Sequence, residues 1–263
     1  MIMKIYKIVS ILFFMATAGS VQAAPLINGG FEDGTAGGWT AGGGGRWNTP
    51  NPALAPADFL PGGSQYDGSS SRSSIITAGT LDPIIGTAFG STVYTGNYSY
   101  RAEDTTTGGY ASVISQQVLN YTDTNIFFAW KAVLEGAHDG SESAALIIQL
   151  RDDTTGNLII NRLYDGGGGI DNRFATSGSY FYTPEWQIEQ LAIDGALLGH
   201  DFTISLLAAD CLPTGHLGYA YLDGFGAQIP TDVPEPASTA LLLLGASTML
   251  AARRRKQGSP RIG

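Results

Sequence analysis

From Asn97 to Gly226 the chain is cut into runs of five to nine residues, each rich in β-branched and aromatic side chains, that recur between turn signals. Runs that short, with no sustained helical period between them, leave strands as the only regular element they can build. Eight are read: Tyr98–Ala102, Ser112–Leu119, Ile126–Leu134, Ala144–Arg151, Leu158–Tyr164, Trp186–Ile193, Phe202–Ala208 and Leu217–Phe225. Turns fall at Asp123-Thr124-Asn125, Asp139-Gly140, Asp153 to Asn157, Asp165 to Gly169 and Asp194-Gly195. In Phe202-Thr203-Ile204-Ser205-Leu206 every second side chain is apolar, and Trp186-Gln187-Ile188-Glu189-Gln190-Leu191 is read the same way, so each strand buries one face. The expected fold class is all-β, an antiparallel β-sandwich of jelly-roll-like form.

Upstream, residues 24–90 are Gly/Pro-rich, with Gly42 to Gly45 in one run and prolines at 50, 52, 56 and 61, which excludes long helices. A short first strand is expected near Leu26-Ile27, followed by a loop carrying Trp39 and Trp47 and a partly irregular excursion. The sandwich domain as a whole is assigned to residues 24–232, a length suited to one such unit. Cys211 is the sole cysteine, which rules out an intrachain disulfide and leaves burial to stabilise the fold. The plainest expectation for Cys211 itself is a small buried residue.

The two ends have a different character. Lys4 and Lys7, an apolar run from Ile8 to Ala18 and then Val21-Gln22-Ala23 follow the order of a secretory signal peptide, residues 1–23, with cleavage after Ala23 or Ala24. At the other end Val233-Pro234-Glu235-Pro236 precedes an uncharged stretch, Ala237 to Ala252, and then Arg253-Arg254-Arg255-Lys256. Sixteen helical residues cover about 24 Å, short for a lasting membrane span and suited to a temporary anchor. The basic cluster belongs on the cytoplasmic side. These three parts resemble the PEP-CTERM sorting domain, with Pro234, Glu235 and Pro236 as the motif and Arg253, Arg254 and Arg255 in the tail. The resemblance covers residues 233–256, leaves 257–263 as a further tail, and implies recognition by an exosortase, with cleavage near the motif and release or attachment at the surface.

Both ends carry basic residues, so the secreted part is more acidic than the whole chain. The net charge of −9 includes 14 basic residues, and setting aside the signal and the tail leaves seven basic against 22 acidic ones. Such a surface excludes nucleic acid as a partner and suits divalent cations.

The opening Asn28-Gly29-Gly30-Phe31-Glu32-Asp33-Gly34 and the closing Tyr221-Leu222-Asp223-Gly224-Phe225 resemble the first and last strands of extracellular jelly-roll modules that include carbohydrate binders. That resemblance implies a structural Ca²⁺ held by Glu32 and Asp223. The stretch Asp210-Cys211-Leu212-Pro213-Thr214-Gly215-His216-Leu217-Gly218-Tyr219-Ala220-Tyr221 is similar to the closing segment of adhesion-like bacterial ectodomains, to which no chemistry is attached. Cys211 and His216 stand five apart, and Glu135 and His138 three apart, and thiolate, imidazole and carboxylate are transition-metal donors. If the two loops meet at one sheet edge, these four close around zinc. Trp39 and Trp47, flanked by glycines, are the candidates for an exposed platform on which a sugar stacks, whereas Trp130 and Trp186 lie in strands and belong to the core.

Catalytic signatures are missing from the sequence: there is no Gly-x-Ser-x-Gly elbow, no His-Glu-x-x-His helix and no phosphate-binding loop. The expectation is a non-enzymatic, exported cell-surface or extracellular-matrix protein, sorted through the secretion machinery and an exosortase, anchored through its C-terminal helix, and binding polysaccharide. A secreted glycosidase built on Glu135 or Glu185 is the alternative, and a purely structural matrix component a third. Asn97-Tyr98-Ser99 and Asn120-Tyr121-Thr122 have glycosylation spacing by coincidence.

Overall fold

The computed structural model describes residues 26–68 and 72–229; the signal peptide, Pro234 to Pro236, the apolar stretch and Arg253 to Arg255 lie outside the described residues. Twelve strands form two sheets in which every paired neighbour runs antiparallel. The front sheet has the order β1 (Thr40–Gly45), β4 (Tyr110–Tyr121), β11 (His200–Ala209), β6 (Ala145–Asp152), β7 (Asn157–Asp165). The back sheet runs β2 (Ser74–Thr77), β3 (Tyr98–Ala102), β12 (Gly218–Gly226), β5 (Asn125–Glu135). The far edge of β5 is shared by β10 (Gln187–Ala192) at its start and β9 (Tyr180–Tyr182) at its end, with β8 (Ala175–Ser177) beyond β9. All eight expected strands are present, with bounds shifted by at most two residues.

The pleat explains the core. Ile114 and Val118 of β4, Phe202, Ile204 and Leu206 of β11, and Leu146, Ile148 and Leu150 of β6 meet Phe128, Trp130 and Leu134 of β5 and Leu222 of β12 in one cluster between the sheets. Burial of that apolar surface stabilises the sandwich at roughly 25 cal/mol per Å². A second cluster covers the outer face of the front sheet, where Leu54 and Phe59 sit on Val113, Ile147 and Leu207. A third covers the back sheet, with Phe89 and Ile76 on Val133, Tyr219 and Tyr221. β4 and β12 are therefore buried on both faces over much of their length.

Four expectations change. Leu26-Ile27 is not a strand: residues 27–30 form a turn, with Asn28 and Phe31 both at positive φ, and Phe225 N–H donates to Gly29 O at 2.9 Å. The Gly42 to Gly45 run is not a loop but the edge strand β1, paired with β4 from Thr40↔Ser115 to Gly45↔Tyr110. The Gly/Pro-rich excursion forms the outer covers of both sheets and contributes β2. In β10 the phase is reversed, since Glu189 and Leu191 face inward while Ile188 is exposed. Trp130 N–H and Arg162 provide the inward Glu189 carboxylate with its partners.

Candidate functional site

Two connections cross between the sheets at the same end of the sandwich: residues 136–144 from β5 to β6, and residues 210–217 from β11 to β12. The second is tightly folded. Cys211 N–H donates to His216 O at 3.0 Å, and Thr214 and Gly215 take positive φ of 74° and 106°. Leu212 N–H donates to Glu142 O at 2.7 Å and Glu135 N–H to Leu217 O at 3.0 Å, which laces the two crossovers together. Behind them Arg46 is fully buried, its guanidinium donating to Asp210 O, Thr49 O and Asn51 Oδ1 at 2.7, 3.0 and 2.6 Å. Burial pulls the Arg46 pKa down to about 10.

This lacing brings His138, Cys211 and His216 together, with one ligand atom from each within 4.8 Å of the others. His138 Nε2 is 3.1 Å from His216 Nδ1, and Cys211 Sγ is 3.4 Å from the same nitrogen. Cys211 is buried, His216 half-buried and His138 exposed, and burial pushes the thiol pKa up. Glu135 does not join the three. Its carboxylate accepts from Leu217 N–H and Ser179 Oγ, each at 3.1 Å, and so braces the loop. The expected four-donor set is corrected to three.

Toward the opposite end of β12, Glu32 and Asp223 both reach the segment before β3. Glu32 accepts from the N–H groups of Asn97 and Tyr98 at 3.0 and 3.1 Å, and Asp223 Oδ2 from those of Tyr94 and Thr95 at 2.9 and 3.0 Å. Asp223 Oδ1 is buried without a hydrogen-bond partner. Burial, with Glu32 adding to it, pushes the Asp223 pKa up to about 7. A Cβ on Gly30 would lie 3.7 Å from that orphaned oxygen and 3.6 Å from Glu32 Cγ, so a residue without a side chain stands between the two carboxylates. An unsatisfied buried carboxylate oxygen beside a second carboxylate is the chemistry a hard cation such as Ca²⁺ would complete.

Of the two tryptophans expected as a platform, Trp39 is not one. It is buried against Phe225 and Phe31, with ring centroids at 4.7 and 5.7 Å, and its N–H donates to Asn28 O. Trp47 is 65 % exposed, and a Cβ on Gly45 would fall 2.1 Å from its Nε1, so the ring folds back over the edge strand. Trp130 is in the core and Trp186 is half-buried, its N–H donating to Ser91 O. A further exposed feature is a shallow cleft on the outer front sheet, lined by Ala57, Leu60, Gln149, Arg151, Thr203 and Ser205. Asp153 accepts there from Arg151 Nε, Gln117 Nε2 and Thr203 Oγ1 at 2.7, 2.8 and 2.5 Å.

Comparison with protein families gives one decisive match: residues 232–256 fit the family described as the PEP-CTERM protein-sorting motif. The C-terminal segment is a PEP-CTERM motif. It contains Pro234, Glu235, Pro236 and Arg253 to Arg255, the residues assigned from the sequence, and implies export, membrane anchoring before sorting, and processing by an exosortase. Among the described residues no helix is long and apolar enough to cross a membrane. Comparison with curated proteins finds no match. Solved structures similar to the domain that precedes the PEP-CTERM motif include a carbohydrate-binding module in complex with beta-1,4-galactotriose, at 13% identity and a TM-score of 0.43, covering 76% of this chain and 94% of that one. A non-crystalline cellulose specific carbohydrate-binding module follows at 12% identity and 0.39, covering 78% and 95%. A cyclase from Fischerella sp. TAU shares 13% identity at 0.40, covering 78% and 95%.

Sequence reading missed the Arg46 knot and the buried pair Glu103 and Asp210. Both pairings join residues far apart in the chain, and the one signal available was an arginine ending a glycine run.

Proposed function

We propose that the protein is a non-catalytic, polysaccharide-binding sandwich displayed at the cell surface or in the extracellular matrix after exosortase processing. The observation that carries the ligand reading is the cleft on the front sheet. Its lining offers the Gln149 amide, the Arg151 guanidinium and the Thr203 and Ser205 hydroxyls, with Arg151 and Thr203 fixed by the adjoining Asp153 carboxylate, and its wall is apolar at Ala57 and Leu60. Sugars present the matching combination of hydroxyl edges and C–H faces, and a few fixed polar groups against an apolar wall is the ordinary composition of a small-molecule site. With seven basic residues against 22 acidic ones in the exported part, neutral glycans are the favoured class. Trp47 is a separate aromatic surface, because the pleat turns Gly45 to the other face of β1 from the cleft. Ca²⁺ held by Glu32 and Asp223 is part of the same proposal, as a structural ion.

Protein recovered from exosortase-bearing cells should lack residues 1–23 and the chain beyond the Pro-Glu-Pro motif by intact mass. On a panel of neutral polysaccharides it should bind without releasing reducing sugar. Replacing Gln149 and Arg151 together by Ala should weaken binding about tenfold or more, since hydrogen bonds to a charged group are worth about 1.5–3 kcal/mol. Reducing-sugar release would establish the hydrolase instead, and binding that survives the double variant but is lost in Trp47→Ala would move the site to the edge strand.

A further inference from the structure

Three side chains from two separate loops converge on a single point at the crossover end: His138 from the β5–β6 connection, and Cys211 and His216 from the β11–β12 connection. Hydrogen bonding does not account for this arrangement well. His216 Nδ1 faces both His138 Nε2 at 3.1 Å and Cys211 Sγ at 3.4 Å. One ring nitrogen has either a single proton or a single in-plane lone pair, so it forms a good bond to one of those neighbours and an inferior one to the other. A cation in the middle satisfies all three atoms at once.

The spacing suits such a cation. Zinc bonds of about 2.0–2.1 Å to nitrogen and 2.3 Å to sulfur, arranged tetrahedrally, put two nitrogens about 3.3 Å apart and a nitrogen and a sulfur about 3.6 Å apart. The two separations that involve His216 lie within about 0.2 Å of these values, and the third, between His138 and Cys211, is within 4.8 Å, a gap that the exposed His138 side chain closes by a small rotation. The donor set selects the ion: one thiolate and two imidazoles match zinc or copper and do not match Ca²⁺ or Mg²⁺, which take oxygen. The ligands are held in advance, because the laced backbone bonds of Cys211, Leu212 and Glu135 fix both loops whether or not an ion is present.

We propose that His138, Cys211 and His216 form a transition-metal site for one zinc-class ion, with the fourth coordination position open on the exposed His138 side. Binding replaces the Cys211 thiol proton, which leaves to solvent, by a metal–sulfur bond. The ion then pins the two crossovers that join the sheets. This site shares no residue with the cleft or with Glu32 and Asp223, so it stands or falls independently of sugar binding and of calcium.

Cobalt titration of the full chain, freed of metal with a chelator, tests it. One Co²⁺ per chain should bind with a near-ultraviolet thiolate-to-cobalt charge-transfer band and intense tetrahedral visible bands, and added Zn²⁺ should bleach them. Cys211→Ser should abolish the charge-transfer band. Because Cys211 is buried and its variant risks misfolding, His138→Ala is the second arm: His138 is exposed, so the chain should keep its fold and melting temperature without metal yet bind cobalt at least about tenfold more weakly, as even supporting residues of metal sites cost 10–100-fold. Absence of a charge-transfer band in the folded parent chain overturns the proposal. Cobalt affinity unchanged in folded His138→Ala, or a band that persists in Cys211→Ser, does so equally.

Discussion

Glu103 holds a left-handed backbone, φ 68°, immediately after β3, and its side chain is fully buried. Ser112 Oγ donates to it at 2.6 Å and the Arg72 guanidinium approaches to 3.4 Å, but burial, with Asp210 close by, dominates and pushes its pKa from 4.5 up to about 8. The folded state therefore holds a proton on Glu103 that the unfolded chain gives up above pH 4.5, so stability falls as pH rises from about 4.5 to 8. Asp210 and Asp223, each raised to about 7, act with the same sign. Asp33, Asp139 and Asp171 are shifted the other way by hydrogen bonds, and their contribution is lost only as pH falls below the ordinary Asp range. Thermal melting in chelator should accordingly decline from pH 6 to 8, by on the order of 1 kcal/mol per pH unit from Glu103 alone, or roughly 2–4 °C per kcal/mol for a domain this size. Glu103→Gln should flatten that decline in part, and a parallel decline in parent and variant would show that Glu103 does not titrate there. None of this was legible in the sequence, where Glu103 is one of 23 acidic residues. Its burial depends on β2 and the Arg72 segment folding over it.

At the scale of the element, legibility followed the hydrophobic period. Phe202, Ile204 and Leu206 were assigned to the inner face from alternation alone and are all fully buried. In β10 the same logic chose the wrong face, because the inward Glu189 looks polar until Arg162 and Trp130 are placed beside it. β1 failed for a different reason: a strand of glycines carries no periodic signal, and its pairing depends on what lies over it. Gly42 and Gly44 face outward beneath the 56–66 segment, where an added Cβ would lie 2.2 Å from Phe59 O and 1.8 Å from Gln65 O. Glycine there permits backbone to pack directly on backbone. Gly44→Ala should therefore cost about 1–3 kcal/mol through overpacking, read as a lower denaturant midpoint and faster proteolysis within residues 56–68. Gly195→Ala, where a Cβ meets open space, should leave both unchanged. Equal behaviour of the two variants would mean that the cover is not seated on β1.

For the whole molecule, the described chain closes on itself where the turn after Leu26 meets the end of β12, with Phe225 N–H bonded to Gly29 O and Phe225 packed edge-on against Phe31. The resemblance of residues 28–34 and 221–225 to opening and closing strands placed them together correctly, although the opening one is a turn. The orphaned Asp223 oxygen shows what that closure lacks. Glu32 lies in the first described loop, Asp223 in the last strand, and both hold the 94–98 segment, so an ion between them would tie three distant parts of the chain at once. An ion that binds only the folded state stabilises it by about 2.7 kcal/mol at a hundred times its dissociation constant, which for a domain this size is roughly 5–11 °C. Saturating Ca²⁺ should raise the melting temperature of the chelator-treated chain by about that amount. The measurement is made in His138→Ala, so that a transition metal at the crossover end does not contribute. Asp223→Asn, which keeps the shape of the side chain and removes its charge, should abolish the shift, and Glu32→Gln should shrink it. A melting temperature indifferent to Ca²⁺ in the Asp223-containing chain would leave the buried oxygen unsatisfied in solution and remove calcium from the architecture.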